Sequence, residues 1–195
     1  MKFFVATKNA GKIKEFSRLF CELGIDMMTE SDLSAPLPEA EETGDTFNEN
    51  ALIKARAGAA FTGLPTVADD SGLCVDALGG MPGVCSARYA GVHGDSAANN
   101  KKLLAELAGV PQEERTAHFV CAIACVFPDG REFTVTGKCN GTIDFSESGD
   151  RGFGYDPLFI SECGKFSEIS AEQKDKISHR GMAIRLFKEK INEYL

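Results

Sequence analysis

The sequence lacks the features that mark membrane, secreted and nucleic-acid-binding proteins. No apolar run approaches the roughly 20 residues that a membrane-spanning helix requires. The opening segment MKFFVATKNAGK turns polar too early for a signal peptide. Positive charge is in deficit, because 21 Lys and Arg stand against 29 Asp and Glu, for a net charge of −8. We therefore expect a cytoplasmic protein with no nucleic-acid or membrane partner.

Disulfides and zinc sites are also not expected. The seven cysteines are odd in number and form no C-x-x-C pair. Cys74, Cys121 and Cys125 lie among apolar neighbours, so we interpret the cysteines as reduced core residues; a catalytic or metal role is the less favoured alternative. The three histidines show no metal-ligand spacing.

The domain organisation follows from length and composition. The chain has 195 residues, of which 43% are hydrophobic and 26% charged, enough apolar material for one globular domain. It has no internal repeats, low-complexity tracts or Pro-rich linkers. We therefore predict a single domain over residues 1–195, folded as one body or as two lobes.

The spacing of apolar residues in the N-terminal part predicts alternating strands and helices. A strand over 3–6 is followed by a polar loop over 7–11, a helix that stops at Gly24 and a second strand over 25–28. Residues 29–45 form a long acidic loop. This order of elements indicates an α/β fold.

The remaining chain continues the same fold. A capping box at Thr46 opens a helix that ends near Gly63, two short strands flank the segment ADDSG, and a further helix covers 96–108. The runs AHFVCAIACVF and EFTVTGKC predict a long β-hairpin, and two helical pieces broken near SHRG end the chain. We predict a mixed β-sheet flanked by helices.

The loop between the first strand and the first helix has the residues of an anion site. Backbone N–H groups at a helix start favour a phosphate, Thr7 and Asn9 add polar groups, and Lys12 adds charge. A Walker A motif is absent from the chain. An ordinary capped turn with solvated lysines explains the loop as well.

Two groups of carboxylates suit a hard cation such as Mg²⁺. One is in the acidic loop, at Glu39, Glu41, Glu42 and Asp45. Solvated loop charge accounts well for Glu39 and Glu42. The other is the pair Asp69-Asp70, which follows an apolar segment at a predicted strand end, where repulsion without a cation would be costly.

Two further segments could contact an aromatic base. Phe153-Gly-Tyr-Asp-Pro157 places aromatic rings beside glycines and an acid, although such turns are common in structural loops. Lys174 and the segment Ser178-His-Arg180 supply hydrogen-bond donors for carbonyl oxygens, although a surface helix end explains them equally well.

In combination, these segments resemble the inosine triphosphate pyrophosphatase family, which hydrolyses non-standard purine nucleoside triphosphates. The matching pieces are, in order, ATKNAGKIKEF, EETGDTFNENALIKA, ADDSGL, GGMPGVCSARYAG, GFGYDPLF and SHRG. Lys8 and the high cysteine content depart from the family pattern. The resemblance implies a long mixed sheet with two lobes and a central substrate cleft, and a homodimer.

The resemblance also implies roles for matching residues. Thr7, Asn9 and Lys12 hold phosphates, Glu41 and Asp70 bind Mg²⁺, and Asp70 is the base for the attacking water, assisted by Lys54. The full set of substrate-binding positions is Thr7, Lys8, Asn9, Ala10, Gly11, Lys12, Ser71, Phe153, Gly154, Tyr155, Asp156, Lys174, His179 and Arg180.

The activity that the resemblance implies is hydrolysis of ITP, dITP and XTP to the nucleoside monophosphate and pyrophosphate, which would cleanse the nucleotide pool. The 6-oxo group of these purines would accept hydrogen bonds from donors such as Arg180 or Lys174, whereas the 6-amino group of adenine would face them with a second donor. The sequence does not identify what excludes guanine. Two alternatives stay open: a phosphatase that removes the terminal phosphate, and a nucleotide-binding protein without turnover.

Overall fold

The computed structural model describes residues 2–38 and 40–194, with the backbone alone for Leu19; Glu39 of the acidic loop lies outside the described residues. The strands are β1 (Lys2–Val5), β2 (Asp26–Met28), β3 (Thr66–Val75), β4 (Thr116–Val126), β5 (Glu132–Ile143), β6 (Phe159–Ser161) and β7 (Gly164–Lys165). The helices are α1 (Ala10–Leu23), α2 (Phe47–Thr62), α3 (Ser96–Glu106), α4 (Ala171–Ile177) and α5 (His179–Ile191). No helix in these ranges is long and apolar enough to cross a bilayer.

The sheet is mixed, as the sequence predicts. Its strands are hydrogen-bonded in the order β2-β1-β3-β4-β5-β6-β7. β1 pairs in parallel with β2 and β3, whereas β6 pairs antiparallel with β5 and β7. The bounds of the short strands β6 and β7 were not predicted, because segments of two or three residues carry too little periodicity to delimit.

Local signals set the helix ends. The Thr46 side chain accepts from the Glu49 N–H while Glu49 reaches back to the Thr46 N–H, which confirms the predicted capping box. α1 begins at Ala10, earlier than predicted, because the Asn9 side chain accepts from two N–H groups of the first turn. Gly24 ends α1 at a φ of 64°, a conformation that favours glycine.

The segment ADDSG does not separate two strands. β3 runs without a break from Thr66 to Val75, so the prediction that Asp69 and Asp70 sit at a strand end is wrong. Both aspartates are buried within the strand. Polar residues in the middle of a strand suggested a break, but lysines from other elements pair with these carboxylates and make their burial possible.

The chain divides into two compact units, and the boundary falls within β3, β4, β5 and α5. The first unit comprises the described residues up to Asp70, Ala122–Thr136 and those from Ala183 onward. Its core packs small residues of α2 against β1 and β4, and Gly58 is required there because a Cβ would meet Thr66 and Phe4. The second unit comprises Ser71–Cys121 and Gly137–Met182.

The second unit has its own core, and it holds much of the aromatic content. Phe119 packs against Phe159 and Phe166 with ring centroids 4.7 and 5.9 Å apart. Leucines of α3 and of β3 complete this core. The core therefore supports the segment between β5 and β6, which runs directly into Phe159.

All seven cysteines are free. Cys121, Cys125 and Cys139 are buried, in agreement with the interpretation as core residues. That interpretation is wrong for Cys21 and Cys163, which are exposed on a helix and on the turn between β6 and β7.

Candidate functional site

The centre of β3 carries two buried carboxylates with separate lysine partners. Lys12 of α1 places Nζ 2.8 Å from Asp69 Oδ2, and the Asp69 side chain is fully buried while that of Lys12 is 14% exposed. Lys54 of α2 places Nζ 3.0 Å from Asp70 Oδ1. The two lysines thus match the charges of the two buried carboxylates.

Lys54 also contacts the acidic loop. Its Nζ lies 2.9 Å from Glu42 Oε1, so one ammonium is shared by two carboxylates. The interpretation of Glu42 as solvated loop charge is therefore wrong. Glu41, the predicted metal ligand of this loop, is exposed next to it.

Asn50 links the same pieces from one turn earlier in α2. It is fully buried; its Oδ1 accepts from the Gly44 N–H at 2.8 Å and its Nδ2 points at Asp70 Oδ2 from 3.5 Å. Because residues four apart lie on one face of a helix, the side chains of Asn50 and Lys54 both contact the Asp70 carboxylate. Asn50 was not among the predicted site residues, although its four-residue spacing from Lys54 is a signal that could have indicated it.

The electrostatics of this cluster favour a protonated Lys54. Burial raises the pKa of the Asp70 carboxyl, and the positive charge of Lys54 opposes this only in part. Burial acts to lower the pKa of Lys54, but the neighbouring carboxylates, Asp70 foremost, outweigh it and raise that pKa above its ordinary value. The charge on Lys54 is thus held by the acids around it.

The first loop is arranged as a helix cap. Asn9 Oδ1 accepts from the N–H groups of Gly11 and Lys12 at 2.9 and 3.1 Å, and the Asn9 N–H donates to Thr7 Oγ1 at 3.3 Å. Ala10 is exposed in the first turn of the helix. The exposed side chain of Lys8 lies 3.5 Å from Glu30. The backbone donors expected for a phosphate are therefore engaged by Asn9 here.

In the second unit, the segment between β5 and β6 folds around Asp156. The buried Asp156 Oδ2 accepts from the Phe153 N–H at 2.8 Å and from Lys174 Nζ. Gly152 lies against this carboxylate at a φ of 77°, where a Cβ would collide with it. Asp156 thus fixes the backbone of its own loop and the position of the Lys174 ammonium.

Phe153 remains accessible above that loop. This residue is 43% exposed, and Lys174 Nζ and Arg180 Cζ lie 5.1 and 5.7 Å from its ring centroid. Arg180 donates from Nη2 to Ser71 Oγ at 3.0 Å. An exposed ring flanked by two cations can stack on a planar base while the cations donate to its edge.

The other predicted base-site residues lie deeper. His179 stacks on Phe119, with centroids 4.7 Å apart and 14° between the planes. Tyr155 lies in the core and donates to the Ser86 carbonyl at 2.9 Å. The Gly154 carbonyl accepts from Asn100 at 3.1 Å, a contact that nothing in the sequence indicated.

The oxygen atoms around Asp70 suit a cation that takes few ligands from the protein. Among the described residues, no three His, Cys, Asp or Glu side chains converge into a cage. Mg²⁺ typically takes one or two carboxylates and completes its octahedron with phosphate oxygens and waters. An ammonium already bridges Asp70 and Glu42, so this place favours positive charge and its oxygens fit such a cation.

The comparisons with known proteins agree over nearly the whole chain. A protein of Nocardia farcinica named dITP/XTP pyrophosphatase is 52% identical over 188 residues, which cover 94% of this chain and 91% of that one. One of Geobacter sulfurreducens with the same name is 50% identical, with 96% and 95% covered.

Solved structures match as well. A structure of a nucleoside-triphosphatase, dITP/XTP pyrophosphatase, from Mycobacterium abscessus has a TM-score of 0.80 at 47% identity, covering 96% of this chain and 97% of that one. A HAM1 protein from Coxiella burnetii has a TM-score of 0.90 at 37% identity, with 99% of each chain covered. The model of the Ham1 family matches residues 3–190. The family resemblance seen in the sequence is thereby confirmed, and the chain belongs to the Ham1 family.

Proposed function

We propose that this chain hydrolyses dITP, ITP and XTP to the nucleoside monophosphate and pyrophosphate. The names of its relatives support this activity. The observation that carries it is the pair of buried aspartates in β3, each held by a lysine from a different helix. Such an arrangement supplies a carboxylate that can accept a proton from water and ammonium groups that can contact a polyphosphate.

The phosphates bind to residues of the first unit. The chain has a net charge of −8, so a triphosphate needs local positive charge, which Lys12 and Lys54 supply. Thr7 and Asn9 lie at the start of α1, where the helix dipole favours an anion. A phosphate oxygen that replaces Asn9 Oδ1 on the first-turn N–H groups would leave the Asn9 amide free to contact the substrate.

Mg²⁺ would be held by Asp70 and by Glu41 of the adjoining loop. When bound, the cation supplies neutralisation of the charge on the triphosphate. Its binding would relieve the repulsion between carboxylates that Lys54 now offsets. Glu41 is exposed and so is accessible to a hydrated ion.

Asp70 serves as the base for the attacking water. It takes the water proton as the water oxygen attacks the α-phosphorus, and pyrophosphate leaves. Burial raises the pKa of its carboxyl, which makes the carboxylate a better proton acceptor. Lys54 keeps that carboxylate oriented and stabilises negative charge that develops on the phosphate.

Base recognition belongs to the second unit. The purine stacks on Phe153, and Arg180 and Lys174 donate to its 6-oxo oxygen. Adenine presents a 6-amino donor at that position, so donors would face donors, a mismatch that can cost roughly 10⁴-fold in kcat/KM. Ser71 holds Arg180, while His179 and Tyr155 support the pocket from beneath.

We further infer that the protein acts in the cytoplasm as a homodimer with no nucleic-acid or membrane partner. Seven free cysteines suit a reducing compartment, and the acidic charge disfavours anionic polymers and membranes. The homodimer rests on the family resemblance alone.

Product analysis of the purified protein tests the proposed activity. ITP, ATP and GTP are incubated with and without Mg²⁺, and products are separated by anion-exchange chromatography. We expect IMP and pyrophosphate from ITP in the presence of Mg²⁺, with ATP and GTP barely hydrolysed. IDP and orthophosphate would overturn the reaction, and ITP binding without any product would indicate a protein that lacks turnover.

A further inference from the structure

Lys165 is a buried lysine with no place in the predicted site. It lies in β7 and is only 7% exposed. Its Nζ contacts Asp144 Oδ2 at 2.7 Å, Ser148 Oγ at 2.6 Å and the Ser146 carbonyl at 3.2 Å. All three partners lie between the end of β5 and Phe153, so a single ammonium gathers this segment.

The positive charge of Lys165 is paired with the Asp144 carboxylate. Asp144 has a pKa below its ordinary value, chiefly because Lys165 donates a hydrogen bond to its carboxylate. Ser148 extends the network, because its hydroxyl donates a hydrogen bond to Glu168 Oε1 at 2.6 Å. Burying an ammonium group costs free energy unless the group is paired. The burial of Lys165 therefore depends on these contacts, and they fix its position.

A second residue of the same region reinforces the arrangement. The Ser167 hydroxyl donates to the Ser148 carbonyl at 2.6 Å, and the Ser167 carbonyl accepts from the Arg151 N–H at 3.1 Å. Gly149 lies against Ser167 at a φ of 78°, where a Cβ would collide with the Ser167 carbonyl. The segment 144–151 is therefore attached to residues 165–167 at several points.

This attached segment leads directly into the loop that displays Phe153. Within that loop, Asp156 binds the Phe153 N–H and Lys174, so the loop is internally rigid and its placement depends on its anchor. We propose that Lys165 is a positioning residue for base recognition, which fixes segment 144–151 so that Phe153 presents its ring to the purine. The inference rests on the proposed function and adds Lys165 to the residues that determine purine binding.

Lys165→Met tests the proposal, because it should weaken binding of the base without weakening binding of the phosphates. We expect the KM for ITP to rise about tenfold with kcat within about threefold of wild type, because ground-state contacts to the base are lost. The inhibition constant of inorganic tripolyphosphate, which has no base, should not change. Lys102→Met is the matched control: Lys102 also bonds a backbone carbonyl in the second unit, that of Tyr89, and its loss should leave both constants unchanged.

Ser148→Ala keeps the proposal testable if Lys165→Met does not fold. It removes one contact of Lys165 and should raise the KM for ITP about threefold with tripolyphosphate inhibition unchanged. IMP binding, measured by titration calorimetry, should weaken in parallel in either folded variant. Wild-type values for the KM and for IMP binding in folded variants would overturn the positioning role, as would an equal loss of tripolyphosphate affinity. A wild-type protein that neither binds IMP nor hydrolyses ITP would instead refute the proposed function.

Discussion

The Lys54 ammonium lies 3.0 Å from Asp70 Oδ1, and the same nitrogen lies 2.9 Å from Glu42 Oε1. One side chain of α2 thus joins the middle of β3 to the acidic loop. The capping box at Thr46 fixes where α2 begins and hence which of its faces carries Lys54 toward the strand. Local sequence chemistry at a helix start therefore sets the placement of a proposed catalytic group.

Asp70→Asn should reduce turnover of ITP by at least about 10³-fold, because the amide cannot accept the proton of the attacking water. The shape of the side chain is retained, so the fold should persist. Steady-state kinetics on the purified variant, with circular dichroism and thermal unfolding as controls, provide the measurement. Near-normal turnover by a folded variant would remove Asp70 from the role of base.

Arg180→Ala should raise the KM for ITP and reduce the preference for ITP over ATP, because a donor to the 6-oxo group and a neighbour of Phe153 are both lost. We expect the preference, expressed as a ratio of kcat/KM values, to fall about 10-fold or more. Lys138→Ala, which removes an exposed cation from the same unit, should leave that ratio unchanged. Unaltered discrimination in Arg180→Ala would place base recognition on other residues.

The sequence predicted those elements whose signals are local. The capping box at Thr46 depends only on residues within one turn, and α2 begins directly after it, as predicted. The continuity of β3 was missed because it depends on Lys12 and Lys54, which come from distant positions in the chain. Long-range pairing of that kind has no signature in a short sequence window.

The same distinction holds for the candidate site. Motif resemblance selected Asp70, Lys54 and Arg180, and the structure gives each of them polar contacts with another residue of the site. Motif resemblance did not select Asn50 or Lys165, because their proposed roles follow from contacts with residues elsewhere in the chain. A motif indicates which residues touch a ligand more readily than which residues hold them in place.

Lys12→Met should destabilise the protein by about 3 kcal/mol, because it leaves the fully buried Asp69 carboxylate without the ammonium that neutralises it. Lys12→Met combined with Asp69→Asn should recover most of that loss, since the charge of the buried carboxylate is then removed. Equilibrium unfolding in urea measures both changes. Activity gives the complementary result: the double variant should remain poorly active, because Lys12 is proposed to bind phosphate. Full activity in the stable double variant would contradict that role.

The seven cysteines should react with a disulfide reagent such as DTNB in an order set by burial. Burial raises the pKa of Cys125 to about 12 and that of Cys139 to about 11, so at pH 8 these thiols stay protonated; for Cys125 the thiolate fraction is about 10⁻⁴. Raising the pH should increase the thiolate fraction of Cys125 and Cys139 about tenfold per pH unit until their pKa values are reached. Cys21 and Cys163 are exposed and should react first in the native protein.

Spectrophotometric counting of released thionitrobenzoate, before and after addition of guanidinium chloride, measures this order. Replacing Cys21 and Cys163 by Ser should abolish the fast phase and leave the total on unfolding lower by two thiols. Because neither residue belongs to the proposed site, the double variant should hydrolyse ITP at the wild-type rate. A fast thiol that persists in that variant would mean either that the partly buried Cys74 or Cys85 is accessible or that a buried cysteine is reached through local opening of the fold.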